Sequence, residues 1–295
     1  MYNTFPVADA LFSWDSAWPE IGDGKVNVSS SIDQSYQNAA VTAKKEYMMR
    51  NNPFPIFPSF KIPKLTKQKM TAMSTSQFKH LDKTQNWYRR GELNLADRMS
   101  QVLALQPTFL EYISWNDGPE SHYIGNVWDY AIEGSPSHAY IDGFDHSGYQ
   151  NIITPFVSAF KAGKTSAADV LPLNGQQAVG TFWYRTILTS ATCVGDALGK
   201  PDGWANAEDV INVAIILAEE ATGATINVYS GGAKIGTRTG KTGLNSWAFA
   251  GMKTGEVKVE VLKAGSGSTL LRKTGGKQVA ADAAVCNYNY FVVGL

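Results

Sequence analysis

Long apolar runs are absent from this sequence. No stretch of 18 consecutive apolar residues occurs in its 295 positions. A transmembrane helix needs about 20 mostly apolar residues, so the chain is not expected to span a membrane. The hydrophobic content of 44% is nevertheless sufficient for a sizeable core. The chain is therefore long enough for one large domain or two modest ones.

Net charge is absent as well. The 26 basic residues are balanced by 26 acidic residues, and no basic run interrupts this balance. We therefore expect neither a nucleic-acid partner nor binding to an anionic membrane surface. The first residues, MYNTFPVADALFSWDSAW, lack a basic region followed by an apolar region. This composition does not predict a signal peptide.

Cysteine is scarce, with only Cys193 and Cys286, both in the last third of the chain. A disulfide between them would close a long loop and is the first interpretation. Two buried free thiols are the alternative, because intracellular proteins tolerate unpaired cysteines in their cores. The four histidines do not show metal-ligand spacing, so we expect no metal site.

Strand and helix patterns alternate through the first two thirds of the chain. The apolar spacing predicts helices over 32–44 and 95–105, the latter capped by Asn94, and a third helix that opens at Thr154-Pro155. Short apolar runs predict strands over 10–14, 46–49, 108–115 and 181–184. This alternation indicates a parallel sheet covered by helices, with its active site at the carboxyl ends of the strands.

The pattern changes from about residue 195. Short β-rich runs separated by glycines are typical of an antiparallel sandwich, and they cover 210–217, 225–230, 246–250, 256–262 and 269–273. We therefore predict two domains, a catalytic region over 1–190 and an accessory β-sandwich over 191–295. Residues 50–72, rich in proline and lysine, have neither period and are interpreted as an irregular insertion.

The carboxylates of Asp117 and Glu120 are the strongest catalytic candidates. They stand three residues apart on a Gly118-Pro119 turn that follows a predicted strand. Cleavage of a glycosidic bond uses a proton donor and a second carboxylate, and such a turn directs both into one cavity. Most Asp-x-x-Glu pairs are solvated surface, which is the alternative interpretation. The aromatic and polar neighbours on both sides favour a site.

The residues around this pair, and several other segments, resemble those of a known enzyme family. The segment WNDGPESHYIG at 115–125 resembles the signature of glycoside hydrolase family 71, the fungal α-1,3-glucanases or mutanases. Further segments that resemble this family, in the same order along the chain, are LFSWDSAW at 11–18, QFKHL at 77–81, NWYRRGE at 86–92, GFDH at 143–146 and CNYNY at 286–290.

The resemblance implies a (β/α)8 barrel followed by a β-sandwich. It also implies hydrolysis of α-1,3-glucosidic bonds with inversion, without metal or cofactor, by a secreted protein of the extracellular space or cell wall. The family's acidic pair carries over to Asp117 and Glu120, and we favour Glu120 as the proton donor. We expect a monomer whose partner is α-1,3-glucan.

Aromatic and polar residues near these motifs are candidates for binding the sugar chain. Flat aromatic faces stack on sugar rings, and polar side chains bind hydroxyl groups, although core packing explains such residues equally well. The candidates are Trp14, Asp15, His80, Asn86, Trp87, Tyr88, Trp115, Asn116, His122, Tyr123 and His146.

Two departures from the family qualify this interpretation. The family has a stretch of barrel before the LFSWD strand, so the chain is interpreted as truncated, with only part of a barrel. The insertion at 50–72 is a second departure, for which a retained intron is one hypothesis. The alternative functions are therefore a glucan-binding fragment without activity, or a barrel glycosidase that acts on another glucan.

Overall fold

The computed structural model describes Phe12, residues 14–43 and residues 70–295. Its helices are α1 (Ser31–Ala43), α2 (Asn94–Leu105), α3 (Asp129–Ile132), α4 (His138–Ile141) and α5 (Gln150–Lys161). Its first seven strands are β1 (Met70–Ser74), β2 (Gln77–Asp82), β3 (Gln85–Arg89), β4 (Phe109–Ile113), β5 (Ala178–Arg185), β6 (Ile187–Thr192) and β7 (Val210–Leu217). The others are β8 (Thr225–Ser230), β9 (Ala233–Thr239), β10 (Gly243–Ala250), β11 (Val257–Leu262), β12 (Thr269–Thr274), β13 (Ala280–Asp282) and β14 (Tyr290–Gly294). No helix in these ranges is both long and apolar enough to cross a membrane.

Strands β1 and β4 pair in parallel and are connected through helix α2. Their register runs from Met70 opposite Phe109 to Ser74 opposite Ile113. The helix buries Leu95, Met99 and Val102, whose spacing of three to four residues makes one continuous apolar face. The helix and the strand predicted over 95–105 and 108–115 are thus confirmed. The β2–β3 hairpin is inserted between β1 and α2.

The position of helix α1 depends on a buried ion pair. The Asp33 Oδ2 atom lies 2.8 Å from Nη1 of Arg98, and both side chains are inaccessible to solvent. The Arg98 guanidinium also donates hydrogen bonds to the carbonyl oxygen of Ala72 in β1. One side chain therefore connects α1, α2 and β1. The helix predicted over 32–44 is confirmed as far as Ala43, the last residue described in this segment.

Two four-stranded antiparallel sheets occupy the second half of the chain. Their strand orders are β10-β7-β5-β14 and β12-β11-β8-β9. Buried side chains of both sheets belong to one hydrophobic cluster, which includes Phe182, Val213, Val228 and Val259. The strands predicted in the five glycine-separated runs are confirmed, with small shifts at their ends.

The predicted barrel is not seen in the described residues. They contain a two-stranded parallel sheet, β1-β4, and several antiparallel sheets, so the fold there is mixed α/β without a closed barrel. The strand predicted over 181–184 as the last of the alternating region lies in β5, which pairs antiparallel with β7 and β14. Its side chains are buried all along the strand, so an apolar run alone did not distinguish its partners.

Helix α5 begins before the residues predicted to open it. Its first residue is Gln150, and Pro155 lies inside the helix rather than in its first turn. Proline removes one backbone hydrogen bond, but the buried residues Ile152 and Phe156 continue the apolar face across it. Burial of this face outweighs the local cost, and Gly163 follows the helix in a left-handed conformation with φ +69°.

Asn94 does not cap helix α2, contrary to the prediction. Leu93 precedes the helix, and Asn94 is its first residue. The Asn94 side-chain amide instead donates to the carbonyl oxygens of Ala17 and Ser74. These acceptors belong to distant parts of the chain, so tertiary contacts decided its role.

Three predictions fall largely on residues that are not described. The strand over 46–49 lies outside the described ranges, and only Phe12 and Trp14 of the strand over 10–14 lie within them. Most of the insertion at 50–72 is likewise outside. Its last residues, 70–72, are the first part of β1 rather than irregular chain, because they pair with β4.

The predicted disulfide between Cys193 and Cys286 is confirmed, with the two Cα atoms 5.4 Å apart. Asp196 lies beside it and accepts a hydrogen bond from the Cys286 backbone N–H. The same carboxylate lies 2.9 Å from Nε2 of buried His80 in β2. The disulfide region is therefore connected to the β2–β3 hairpin.

Candidate active site

Two segments that follow neighbouring parallel strands form the candidate site. Residues 114–122 follow the carboxyl end of β4, and the β2–β3 hairpin follows the carboxyl end of β1. Because the strands are parallel, both segments emerge at the same edge of the sheet. The first segment carries Asp117, Glu120 and His122, and the second carries Gln77 and Lys79.

The two catalytic candidates and His122 lie close together. One oxygen each of Asp117 and Glu120 and a ring nitrogen of His122 are all within 4.8 Å of one another. The Nε2 atom of His122 is 3.3 Å from Glu120 and 3.8 Å from Asp117. The side chain of Asp117 is 43% exposed, that of Glu120 25%, and the His122 ring is buried.

Local hydrogen bonds fix the turn that presents the carboxylates. The Asp117 N–H donates to the Ser114 hydroxyl oxygen, and the Glu120 N–H donates to Asp117 Oδ1. The Ser114 N–H donates to the carbonyl oxygen of His122 and closes the segment. Ser121 adopts a left-handed conformation, with φ 58°, that turns the chain back toward His122.

Three side chains donate to the Glu120 carboxylate. Gln77 Nε2 is 2.6 Å from Oε2, Lys79 Nζ is 3.2 Å from Oε1, and His122 supplies the third contact. Gln77 and Lys79 alternate along β2, which places both side chains on one face. The hydrogen bond from His122, with those from Gln77 and Lys79, lowers the pKa of Glu120 to about 2, against burial, which raises it.

Ser114 orients the His122 ring. Its hydroxyl oxygen accepts from the Asp117 N–H, so its own hydrogen is free to donate to Nδ1 of His122, 3.0 Å away. This assignment leaves the proton of the neutral ring on Nε2, which faces Glu120. The hydrogen bonds thus form a chain from Ser114 through His122 to Glu120.

This environment keeps Glu120 ionised at neutral pH. An ionised carboxylate accepts protons or stabilises a cationic sugar, whereas a proton donor needs a raised pKa. The donors around Glu120 therefore argue against the favoured role of Glu120 as the acid. One oxygen of each carboxylate lies within 4.8 Å of the other, whereas inverting enzymes usually hold their two carboxyl groups ~6.5–9.5 Å apart, with a water between them.

The same three residues have the donor atoms of a metal ligand set, with two carboxylates and an imidazole. Both oxygens of Glu120 already accept hydrogen bonds from Lys79 and Gln77. A cation at this position would lie next to the Lys79 ammonium and compete with these donors. The arrangement is therefore better matched to a hydrogen-bonded carboxylate than to a cation site.

Several predicted sugar-binding residues surround this turn. Trp115 and Asn116 belong to it, and the Trp115 side chain is 59% exposed. The Trp87 ring lies 5.1 Å from Lys79 Nζ. The ring of exposed Trp14 packs on Trp18, which in turn contacts His122 edge to face. Asp15 is exposed at the start of the short 3-10 helix that follows Trp14.

Other residues predicted to bind sugar make contacts away from the carboxylates. The two ring nitrogens of His80 face Asn86 Oδ1 and Asp196 Oδ2, on the opposite face of β2 from Gln77 and Lys79. The hydroxyl group of buried Tyr88 contacts Tyr290.

Tyr123 and His146 are stacked on each other in the interior, with ring centroids 4.0 Å apart. Both nitrogens of His146 face backbone carbonyl oxygens, and burial lowers the pKa of this ring to about 4. Its polar atoms are therefore not presented to a ligand.

Residues that sequence reasoning missed at the site are Gln77, Lys79, Ser114 and Trp18. The spacing of Gln77 and Lys79, two residues apart, was the available signal, because in a strand it places two donors on one face. It became informative only with the parallel pairing that brings this strand beside Glu120.

Comparisons with known proteins show which family the chain belongs to. Residues 1–295 match the model of glycosyl hydrolase family 71. Glucan endo-1,3-alpha-glucosidase agn1 of Schizosaccharomyces pombe is 30% identical over 97% of this chain and 57% of its own length. A mutanase of Penicillium rubens is 30% identical over 97% of this chain and 56% of its own length. The ascus wall endo-1,3-alpha-glucanase of Schizosaccharomyces pombe is 26% identical over 98% of this chain and 61% of its own length.

No solved structure matches the chain significantly. The chain spans somewhat more than half the length of the curated relatives that it matches. The family match covers the whole chain, including the turn that carries Asp117, Glu120 and His122. The chain therefore belongs to glycosyl hydrolase family 71.

Proposed function

We propose that this protein hydrolyses α-1,3-glucosidic bonds in α-1,3-glucan, with Asp117 and Glu120 as its catalytic carboxylates. The observation that carries the proposal is the cluster of Asp117, Glu120 and His122 within 4.8 Å at the carboxyl edge of parallel strands. The names of the relatives, two α-1,3-glucanases and a mutanase, supply the substrate class.

The architecture supports the same proposal. Strand β1, helix α2 and strand β4 form one β–α–β unit, of the kind from which (β/α)8 barrels are built. We propose that the region before Ala178 is part of such a barrel. The two antiparallel sheets that share a core would form the accessory sandwich, with its boundary before β5 rather than near residue 190.

We propose the following roles for the carboxylates. Glu120, held ionised by His122, Gln77 and Lys79, stabilises positive charge on the sugar or activates water. Asp117, the other carboxylate of the cluster, is then the group that donates the proton to the leaving oxygen. The exposed face of Trp115 would support the sugar ring beside them.

Inversion, which the family resemblance implies, sets a further condition on these roles. Asp117 and Glu120 stand on one short turn with an oxygen of each within 4.8 Å of the other, whereas inversion uses carboxylates on opposite faces of the sugar ring. We therefore propose that, in an inverting reaction, the pair acts from one side of the sugar ring and a third carboxylate acts from the other. Proton NMR of the anomer formed first would distinguish inversion from retention.

The experiment that tests the function measures reducing sugar released from insoluble α-1,3-glucan. The wild-type chain should release sugar, and Asp117→Asn and Glu120→Gln should each lower the rate at least about 100-fold, as loss of an acid–base group does. Glu219→Gln, a change of an exposed carboxylate on a distant 3-10 helix, is the matched control and should keep the activity.

Three outcomes would contradict the proposal. Unchanged activity in both site variants would reject Asp117 and Glu120 as the catalytic pair. A wild-type chain that binds α-1,3-glucan but releases no sugar would support the alternative of a glucan-binding fragment. Release from another glucan instead would change the substrate class.

We also propose that the protein is located in the extracellular space or the cell wall, in keeping with the relative named as an ascus wall glucanase.

A further inference from the structure

Exposed aromatic side chains are concentrated on the segment that begins at the catalytic turn. Trp115, Trp128 and Tyr130 are 59%, 53% and 75% exposed. Large exposed apolar groups are unfavourable in water unless a ligand or partner covers them. The three rings therefore require an explanation beyond core packing.

Trp128 and Tyr130 form an open pair. Their rings are nearly parallel, with an interplanar angle of 10° and centroids 6.1 Å apart. This separation is near the long end of the ~4.5–7 Å found for aromatic pairs, so the rings do not cover each other's faces. Open aromatic faces of this kind stack on the C–H faces of sugar rings.

A cavity of about 230 Å³ is lined in part by residues that neighbour this pair in the sequence. The aromatic residues Tyr123 and Phe144 belong to its lining, and so do the acidic residues Asp129, Asp142 and Asp145. Asp129 stands between Trp128 and Tyr130 in the sequence. The cavity therefore combines aromatic surface with hydrogen-bond acceptors, as sites for neutral sugars do.

The charges of the cavity narrow the choice of ligand. In the described part of the chain, no ion pair joins Asp129, Asp142 or Asp145 to a basic side chain. Lys277 Nζ lies 4.9 Å from the centre of the Phe144 ring, so one ammonium group stands beside three carboxylates, and this excess of negative charge disfavours an anionic ligand. Among the described residues they do not come close enough together to share one metal ion. A neutral ligand with many hydroxyl donors fits this lining best.

Residues of the cavity lining are in contact with the catalytic turn. Gly125, in its lining, donates its backbone N–H to the carbonyl oxygen of Trp115 at 2.7 Å. The Trp115 ring lies over Gly125 so closely that a Cβ there would collide with it. Gly118 of the turn likewise lies against Val127 of the cavity lining. A sugar chain that leaves the turn past Trp115 would thus reach the cavity directly.

We propose that the cavity and the Trp128–Tyr130 pair form a subsite for a glucose unit of the glucan chain, outside the bond that is cut. This inference rests on the proposed function, because it takes α-1,3-glucan as the occupant. The subsite holds the polysaccharide through stacking on the two rings and through hydroxyl groups that donate to the three carboxylates. It therefore favours long chains over short oligosaccharides.

The test is a depletion assay that measures binding of the complete chain to insoluble α-1,3-glucan in the cold. Trp128→Ala, Tyr130→Ala and Asp142→Asn should each weaken binding roughly 3- to 10-fold, the range expected for one aromatic contact or hydrogen bond. Trp204→Ala is the matched control, because this tryptophan is 38% exposed, packs against Lys200 and is not part of the cavity lining. It should bind as tightly as the wild type.

The outcomes separate the subsite from the hydrolysis. Binding that is unchanged in all three variants, or absent in the wild type, overturns the subsite. Equal weakening by Trp204→Ala also overturns it, because the effect would then be nonspecific. Trp128-dependent binding without sugar release would keep the subsite and reject the hydrolysis. Sugar release by the wild type, with binding unaffected in the variants, would keep the hydrolysis and reject the subsite. Unfolding curves of the variants should match that of the wild type, because the side chains are exposed.

Discussion

Lys79 Nζ lies 3.2 Å from Oε1 of Glu120 and 5.1 Å from the centre of the Trp87 ring. The ammonium group thus lies between a carboxylate on one segment and an aromatic face on the next strand of the hairpin. Its side chain is only 15% exposed, so water screens this charge less than at an open surface. Lys79 is therefore positioned to control the proton affinity of Glu120.

Replacement of Lys79 by methionine should raise the pKa of Glu120. The change removes one positive neighbour, and loss of such a neighbour raises a carboxyl pKa by up to about one unit. The measurement is a carbon NMR titration of the Glu120 carboxyl group. Lys79→Arg keeps the charge and is the control. An unchanged titration in Lys79→Met would show that His122 and Gln77 alone determine this pKa.

The pH dependence of stability should reveal the same carboxylate. The pKa of Glu120 is about 2 in the folded chain, below its ordinary value of 4.5. Because the folded value is the lower one, the ionised group contributes stability above about pH 4.5, and this contribution is lost as the pH falls toward 2. Urea unfolding of wild type and Glu120→Gln should therefore differ most near neutral pH. A difference that grows on acidification would contradict the assignment.

Asp33→Ala should destabilise the chain by about 3 to 5 kcal/mol, because it leaves the buried Arg98 guanidinium without its counterion. Thermal and urea unfolding would measure the loss. Asp23→Ala changes an exposed carboxylate and should change the free energy of unfolding by less than about 0.5 kcal/mol. Equal effects of the two substitutions would show that the ion pair does not hold α1 in place.

Asp196→Asn should weaken the connection between the β2–β3 hairpin and the disulfide region. Although burial raises the pKa of Asp196, the backbone N–H groups of Cys286 and Leu198 and the neighbouring His80 lower it overall. Loss of this buried charged partner should cost about 1 to 3 kcal/mol near neutral pH. The difference from wild type should shrink as the pH falls below about 3.8, because the carboxylate protonates first in the unfolded chain and then, at lower pH, in the folded one. Amide exchange in β2 and β3 would show whether the loss is local.

The apolar spacing predicted α2 and β4 correctly because their burial follows the simple periods of a helix and a strand. The start of α5 was predicted wrongly, because its buried face continues through Pro155, a residue that usually marks a helix start. The apolar spacing also failed at β5, since a strand buried on both faces reads the same in a parallel and an antiparallel sheet.

The candidate site was predictable only in part. Asp117, Glu120 and His122 lie on one continuous segment, so the sequence brought them together. Gln77 and Lys79 reach Glu120 through the pairing of β1 with β4, which a single sequence does not specify. The alternation of side chains along a strand predicts that His80 and Lys79 lie on opposite faces. It does not show which of the two faces the carboxylates.

The Cys193–Cys286 bridge has a consequence for the fate of a nicked chain. It spans 93 positions in the sequence, and the exposed glycine turns at 231–232 and 265–267 lie between its two ends. A protease that cuts once in either turn produces two polypeptides that stay covalently joined. Electrophoresis would then show one band without reductant and two bands with it. The bridge thus keeps β14 attached to the body of the protein after damage that would otherwise release it.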